Sequence, residues 1–490
     1  MKKKTVPTSP QSNVIFLNKE CKVTKAKKLV AFVASKEEKE KNHTSAVEKE
    51  RVRLWSKVYD SSYSKSVEKK VDADFNADIW KSNYSGEPIP IEQMKEWVSS
   101  TVQRILETHK NSLRKPKILE IGCGTGLLLY PLLPHVEAYV GTDISEEAID
   151  LIAENCSTKK DASKLKLYVA DADDLSGLPS GQFDIIIINS VVQYFPSADY
   201  FLSVIDGLKP FLSSSGVIFI GDVICFPLCN AFNYETQFAK ASTDTTVEKL
   251  LDSILTLTQV RNSETYYDPR FFHLLPGKFD WINSVETQLR KGDFYNEMNN
   301  FRFDVIIRNV ENSKQVLETS FLDWEKDALT LAKIQSILAT NSHEVINIVN
   351  IPNARIFKSN RLIELLKAAK PTDTVGQIKN QLDKEMALNS GLQPSLFWEL
   401  ENQHYSIEVD WDYEHWDGKM SVRCIQKKSI VFKRRLQNFS IVECSNRPAI
   451  SCNESDVIQE LKKLISQELP ADRQPKEVFV ISPRMYAMFN

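Results

Sequence analysis

The sequence contains no CxxC pair, and its eight cysteines and seven histidines stand singly. That spacing excludes the common zinc sites and a disulfide framework, and it points to a reduced, cytoplasmic compartment with no structural metal. Cys225 and Cys229 are near enough to share a helix face, where a buried thiol pair is the expectation. No apolar run approaches the ~18 residues that a membrane span needs. The opening "MKKKTVPTSPQ" is followed by no apolar core, so it does not read as a secretory signal. With a net charge of −3, nothing global draws the chain to nucleic acid. Lysine-rich runs at 2–4, 25–28 and 36–41 read as a solvated leader. No internal repeat is evident.

What is present is an ordinary globular composition, 42% hydrophobic and 26% charged, over 490 residues. That length predicts two or more domains. The runs "NVIFLN" and "KLVAFVAS" predict an early hairpin, followed by a charged linker that merges into a helix near "EKERVRLWSKVYD". From about residue 90 the pattern turns regular. "IEQMKEWVSSTVQRILETH" has helical apolar spacing. Then strand-like runs ("KILEIG", "AYVGTD", "KLYVAD", "FDIIIINS", "GVIFIGDV") alternate with helical ones, and Ser145 reads as a helix cap. This alternation predicts an α/β fold, a mainly parallel sheet with helices on both faces. "SVETQLRK" and "FRFDVIIRN" predict an antiparallel edge hairpin. Beyond residue 310 the pattern predicts helices around 321–340, 360–369 and 375–389, strands at "VINIVNI", "SIEVDWDY" and "MSVRCIQ", and lastly a helix at "ESDVIQELKKLISQELP" and a strand at "EVFVIS".

The chemistry begins in "ILEIGCGTGLLL", where Gly122, Gly124 and Gly126 follow a buried strand. Glycine allows positive φ and close approach of a ligand to the backbone. A dinucleotide site needs GxGxxG, but Leu127 stands where the third glycine belongs. Glu120, just before the turn, disfavours a pyrophosphate and suits a cation. S-adenosylmethionine carries an ammonium and a sulfonium and no phosphate, so it is the favoured ligand, and a nicotinamide-dependent dehydrogenase is disfavoured. Asp143 falls about 20 residues on, where an acid binds ribose hydroxyls. Asp171 or Asp173 can accept from an adenine amino group, with Ala172 leaving room for the ring. Cys123 within the turn and Ile144 beside Asp143 join the same ligand-facing set. Asn189 and Ser190 end the strand "FDIIII" beside the expected methyl position.

Five stretches, "LEIGCGTGLLL", "YVGTDIS", "NSVVQYFPSADY", "GVIFIGDV" and "NEMNNFRFDVII", resemble the class I methyltransferase domains inserted in the adenylation domains of nonribosomal peptide synthetases. The resemblance covers roughly residues 55–430 and implies a Rossmann-like, mainly parallel seven-stranded sheet with a mixed α/β C-terminal extension. It implies S-adenosyl-L-methionine as cofactor at Gly122, Gly124, Gly126, Asp143, Asp171, Ala172, Asp173 and Asn189. It further implies an aminoacyl or peptidyl thioester substrate, N-methylated while held by a carrier protein or synthetase module. The ends, "KAKKLVAFVAS" and "ELKKLISQELPADRQPKEVFVISPRM", resemble the halves of a split adenylation subdomain. The expected organisation is therefore a remnant and linker at 1–54, the methyltransferase core with its lid at 55–310, an extension at 311–430 and a second remnant at 431–490, in a free-standing enzyme that does not adenylate.

An amine nucleophile needs an acceptor for its proton. Candidates for the chemistry are His273 in "FFHLL", Tyr194, Asn189 and Asp222. Tyr84, Gln193 and Tyr194 are the candidates for holding substrate. Packing roles compete for each of these: His273 as a core or surface histidine, Tyr194 as a packing aromatic, Asp222 as a helix cap. Two other functions compete with the first: methylation of a free small molecule on oxygen or nitrogen, and a non-catalytic docking remnant. The intact glycine turn and Asp143 argue against the last.

Overall fold

The computed structural model describes residues 4–9, 12–20, 27–35, 44–67, 74–179, 181–260, 264–309, 319–413, 417–427, 444–446 and 477–481. The chain divides into two compact units, one of residues 1–49, 255–263 and 448–490, the other of residues 50–254 and 264–447.

In the first unit, β1 (Lys4–Ser9), β2 (Ser12–Glu20) and β3 (Lys27–Ser35) form an antiparallel meander. The last strand of the chain, β15 (Glu477–Ile481), adds to it in parallel, with Val30 opposite Glu477. The expected hairpin is β2–β3. The helix expected at 454–470 lies outside the described residues.

The second unit is built on a seven-stranded sheet. Along the chain come α1 (Thr44–Val67), α2 (Ile91–Glu107), β4 (Lys117–Ile121), α3 (Leu129–Leu132), β5 (Ala138–Asp143), α4 (Glu146–Cys156), β6 (Leu165–Val169), β7 (Phe183–Asn189), α5 (Ala198–Gly207) and β8 (Leu212–Ile224). Next come α6 (Cys229–Lys240), α7 (Val247–Val260), α8 (Pro269–His273), α9 (Leu275–Lys278), β9 (Ser284–Leu289), α10 (Glu297–Asn300) and β10 (Arg302–Arg308). The strand order is β6-β5-β4-β7-β8-β10-β9, with β10 antiparallel to both its neighbours and every other pair parallel. This is the class I methyltransferase architecture.

Burial explains the order. Every residue of β7 is buried, so "FDIIIIN" must lie mid-sheet between two helical layers. Strand β6, whose Val169 is 54% exposed, closes one edge. The hairpin β9–β10 forms as expected, with β10 inside and β9 outside. Ser145 caps α4, its side chain accepting from the Ala148 N–H. From β4 the chain steps to β5 and β6 on one side and returns to β7 on the other. Such a switch point opens a crevice at the carboxyl ends of β4 and β7.

A four-stranded sheet follows, in the order β11 (Thr319–Asp323), β12 (Val345–Ile351), β14 (Met420–Gln426) and β13 (Tyr405–Trp411). It carries α11 (Leu331–Thr340), α12 (Ala354–Ala368), α13 (Val375–Met386) and α14 (Ser395–Trp398). Here one expectation is corrected. The start of the predicted 321–340 helix is strand β11, because "TSFLD" finds a parallel partner in Val345–Val349. The helices α6 and α7 were not anticipated. Cys229 opens α6 but Cys225 precedes it, so the two thiols share no helix face; neither is in a disulfide.

Candidate active site

The β4 turn is shaped by three glycines with φ of 74°, 52° and 82° at Gly122, Gly124 and Gly126. A side chain at Gly122 would be doubly excluded, by this left-handed backbone and by Val191, whose Cγ2 lies 2.3 Å from where a Cβ would stand. The turn borders a cavity of about 380 Å³ in the crevice above β4 and β7, within the usual size for a small-molecule site.

Two buried carboxylates serve this end of the cavity. Asp143, ending β5, accepts from the N–H groups of Gly124 at 2.8 Å and Ser145 at 3.0 Å. Glu120 accepts from the Tyr139 hydroxyl at 2.6 Å. Burial pushes the Glu120 carboxyl up to about 7; the Tyr139 bond opposes this and the Asp143 charge adds to it. Burial also raises Asp143, against the pull of its backbone donors. Neither forms an ion pair with a described residue: their donors are neutral. Buried charges without a counter-ion are costly, and a cationic ligand would relieve both. The lining acids are Glu120, Asp143, Glu264 and Glu297, and the lining bases are Lys81 and Arg302. A phosphate would meet the wrong charge here. The donor set therefore fits S-adenosylmethionine, whose ammonium and sulfonium supply the missing positive charge.

At the mouth of β7, Asn189 and Ser190 line the cavity. The Asn189 amide donates to Ser190 Oγ at 3.3 Å, and its Oδ1 sits where a Cβ on Gly221 would come within 2.1 Å. Ser190 (φ 56°) donates to Asp222 (φ 62°) at 2.5 Å. Asp222 is fully buried and saturated. It also accepts from Trp97 Nε1 at 3.2 Å, pairs with Arg302, and lies 3.6 Å from Arg290. Its own N–H donates to Asp304 at 3.0 Å, which pairs with Arg104 at 2.5 Å and Arg290 at 2.9 Å. Burial alone would raise the Asp304 carboxyl, but Arg290 and Arg104 hold it below the ordinary range. Asp222 is therefore a structural counter-ion beneath the site, not a proton acceptor in it.

The roof is α1. Trp55, Tyr59 and Tyr63 recur at every fourth residue, so one helical face carries all three. The Trp55 and Tyr59 rings pack on Tyr194 at centroid distances of 4.7 and 5.3 Å. The Tyr63 hydroxyl lies 3.1 Å from where a Cβ on Gly124 would stand. Asp60 accepts from Ser145 Oγ at 2.6 Å, which ties the helix to the end of β5. Glu264, Glu297 and Arg302 also line the cavity, close enough for Arg302 and Glu297 to act on the Glu264 carboxyl. Glu297 accepts from the Asn83 N–H at 2.9 Å and its side-chain amide at 3.0 Å.

Of the residues singled out in the sequence, Glu120, Gly122, Cys123, Gly124, Asp143, Ile144, Ala172, Asn189, Ser190 and Tyr194 line this one cavity. Gly126 supports the turn from outside, where Tyr130 blocks a Cβ at 2.7 Å. Asp171 and Asp173 are exposed and off the lining, and Asp173 instead accepts from the Tyr200 hydroxyl at 2.8 Å. Gln193 is buried behind Tyr194, and the Tyr84 hydroxyl is buried near Glu235, Tyr295 and Glu297. His273 also stands elsewhere: its Nε2 lies 2.9 Å from Thr287 Oγ1 on β9, and its ring packs edge-on against Tyr413. The expected proton acceptor is thus not among the residues lining the cavity. Sequence reasoning missed Glu264, which no local motif marks, and did not single out Glu297 and Arg302, although both lie in the stretch "NEMNNFRFDVII". It also missed the aromatic face of α1, which the i, i+4, i+8 spacing could have revealed.

Residues 119–218 match the family model described as a methyltransferase domain. Among curated proteins, chondramide synthase cmdD of Chondromyces crocatus is 33% identical over 403 residues, covering 81% of this chain and 10% of the synthase. Nonribosomal peptide synthetase agiA of Aspergillus flavus is 25% identical over 467 residues, covering 90% of this chain and 6% of the synthetase. The chain thus spans about a tenth or less of the length of these relatives. Among solved structures, the N-methyltransferase NodS of Bradyrhizobium japonicum in complex with S-adenosyl-L-homocysteine matches with a TM-score of 0.31 and 14% identity, over 52% of this chain and 99% of that one.

Proposed function

We propose, for a chain that carries an S-adenosylmethionine-dependent methyltransferase domain of the kind found in nonribosomal peptide synthetases, that the substrate is an aminoacyl or peptidyl group tethered to a carrier protein and that the methyl goes to its nitrogen. The observation that carries this reading is the charge of the cavity, where Glu120, Asp143, Glu264 and Glu297 face only Lys81 and Arg302. Such a lining suits both a cationic cofactor and an ammonium substrate. The synthetase relatives support the tethered substrate.

In this reading Gly122, Gly124, Asp143, Ala172, Asn189 and Glu120 hold S-adenosylmethionine, which supplies an electrophilic methyl group when bound. Methyl displacement has a good leaving group, so the protein's work is alignment and exclusion of water. The aromatic face of α1 covers the crevice and offers π-faces to positive charge. Tyr194, whose hydroxyl is pushed up to about 12 by burial and by Glu264, stays a neutral donor near the nucleophile. The β3–β15 pairing of segments from opposite ends of the chain supports reading the first unit as a split adenylation subdomain. Each expected segment of the split supplies one strand.

Calorimetry with S-adenosylmethionine tests the cofactor site, and absence of binding overturns the reading. Radiolabelled cofactor offered with aminoacyl-loaded carrier proteins and with free amino acids tests the substrate. Label on the carrier-bound amine is expected, and label only on free acceptors would point to a small-molecule enzyme.

A further inference from the structure

We propose that Glu264 is the group that takes the proton from the substrate's amine, an inference that rests on the N-methylation reading above. Glu264 lines the cavity beside Tyr194, in the segment between α7 and α8. The other acids at the cavity are already engaged. Tyr139 holds Glu120, two backbone amides hold Asp143, Ser82 and Asn83 hold Glu297, and beneath the floor Arg302, Arg290, Ser190 and Trp97 hold Asp222. Glu264 uses its backbone carbonyl, which accepts from the Asn446 amide at 2.8 Å. Its carboxylate accepts no hydrogen bond from a described residue. Among the described residues it is the acid of the cavity lining whose carboxylate is left uncommitted.

The chemistry requires such a group. An α-amino group titrates at roughly 7.7–8.0, so near neutral pH most of it is ammonium and has no lone pair to attack with. In the balanced sequence the ammonium first gives one proton to the Glu264 carboxylate. The freed lone pair then forms the N–C bond to the methyl carbon as the C–S bond breaks, its electron pair going to sulfur. The titratable and charged groups facing Glu264 are Tyr59 from α1, Tyr194 after β7, Tyr266 of its own segment, Asp222 of β8, Glu297 of α10 and Arg302 of β10. Burial raises the Glu264 carboxyl, with Arg302 opposing and Asp222 and Glu297 adding. A base moved toward the working pH accepts a proton more effectively.

The test compares wild type with Glu264→Gln and Glu264→Asp. The acceptors are a panel of aminoacyl thioesters of N-acetylcysteamine with methyl-labelled cofactor, followed from about pH 6 to 10. Calorimetry reads cofactor affinity, and mass spectrometry with NMR identifies the methylated atom. Glu264→Gln should keep cofactor affinity within about twofold and lose roughly a hundredfold in kcat near pH 7. Its rate should climb back as the pH passes the amine's own pKa, and Glu264→Asp should recover part of the neutral-pH rate. A Glu264→Gln variant with the wild-type rate and pH profile on an N-methylated product overturns the role of Glu264 alone, as does one that loses cofactor binding along with activity. Wild-type transfer only to oxygen or sulfur overturns the N-methylation reading first, and this proposal with it.

Discussion

Two sets of buried carboxylates lie along one edge of the seven-stranded sheet, near the carboxyl ends of β4, β5 and β8 and the amino end of the antiparallel β10, and they are treated in opposite ways. Asp222 and Asp304, at β8 and β10, are matched by Arg104, Arg290 and Arg302, so their charge is neutralised within the protein. Glu120 and Asp143, at β4 and β5, receive only a phenol and backbone amides, and their carboxyls are raised. A paired acid in a core holds elements together. An unpaired one beside a cavity is a place for a cation that the chain does not itself provide. The difference separates scaffold from site more sharply than burial does, since both sets are buried.

The largest way to break this comparison is Asp304→Ala. It leaves Arg104 and Arg290 buried without their shared partner and should cost about 3–5 kcal/mol, read by urea denaturation. A loss under ~1 kcal/mol would mean that the cluster is not the scaffold described. Next is Asp143→Ala, which removes the acceptor for two backbone amides. Cofactor affinity by calorimetry should fall at least roughly tenfold, or about 1.4 kcal/mol, with a smaller change in stability; equal affinity would remove Asp143 from the site.

Glu120 sharpens the comparison through pH. Its folded carboxyl lies near 7, above the ordinary unfolded value of roughly 4.3. Its contribution to the stability of the cofactor-free protein is therefore full below about 4.3 and is lost as pH rises through about 7. A bound cation favours the charged form, so cofactor affinity should rise across the same upper range. Melting curves with and without cofactor should diverge from about pH 6 upward, and Glu120→Gln should flatten both slopes. The smallest effect is expected from His273→Ala. It loses the Thr287 contact, about 1 kcal/mol, and should leave kcat within about twofold. A large loss of kcat would return this histidine to the chemistry.

Much of the larger unit was legible in the sequence because its signals are local. The apolar run of β7, the capping Ser145 and the glycines of the β4 turn are each read within a few residues, and their order implies a switch point. What was illegible depends on partners far along the chain. His273 looked reactive as a lone imidazole, yet the fold sets it against Thr287 and Tyr413. Asp222 stood as a candidate for the chemistry with a helix cap as the competing role, yet arginines from β10 and the end of β9 reach it. Glu264 carries no motif at all and acquires its place only because its segment folds against Tyr194 and Arg302. The "TSFLD" segment read as the start of a helix until a parallel partner, β12, was in view.

The sequence by itself determined the α/β class, the glycine turn, the acid that follows it and the polar mouth of β7, since backbone conformation and strand burial are set by residues close in sequence. Tertiary structure alone decided which carboxylates meet arginines and which meet a cavity. Charge pairing acts across a few ångströms of space, whatever the distance along the chain.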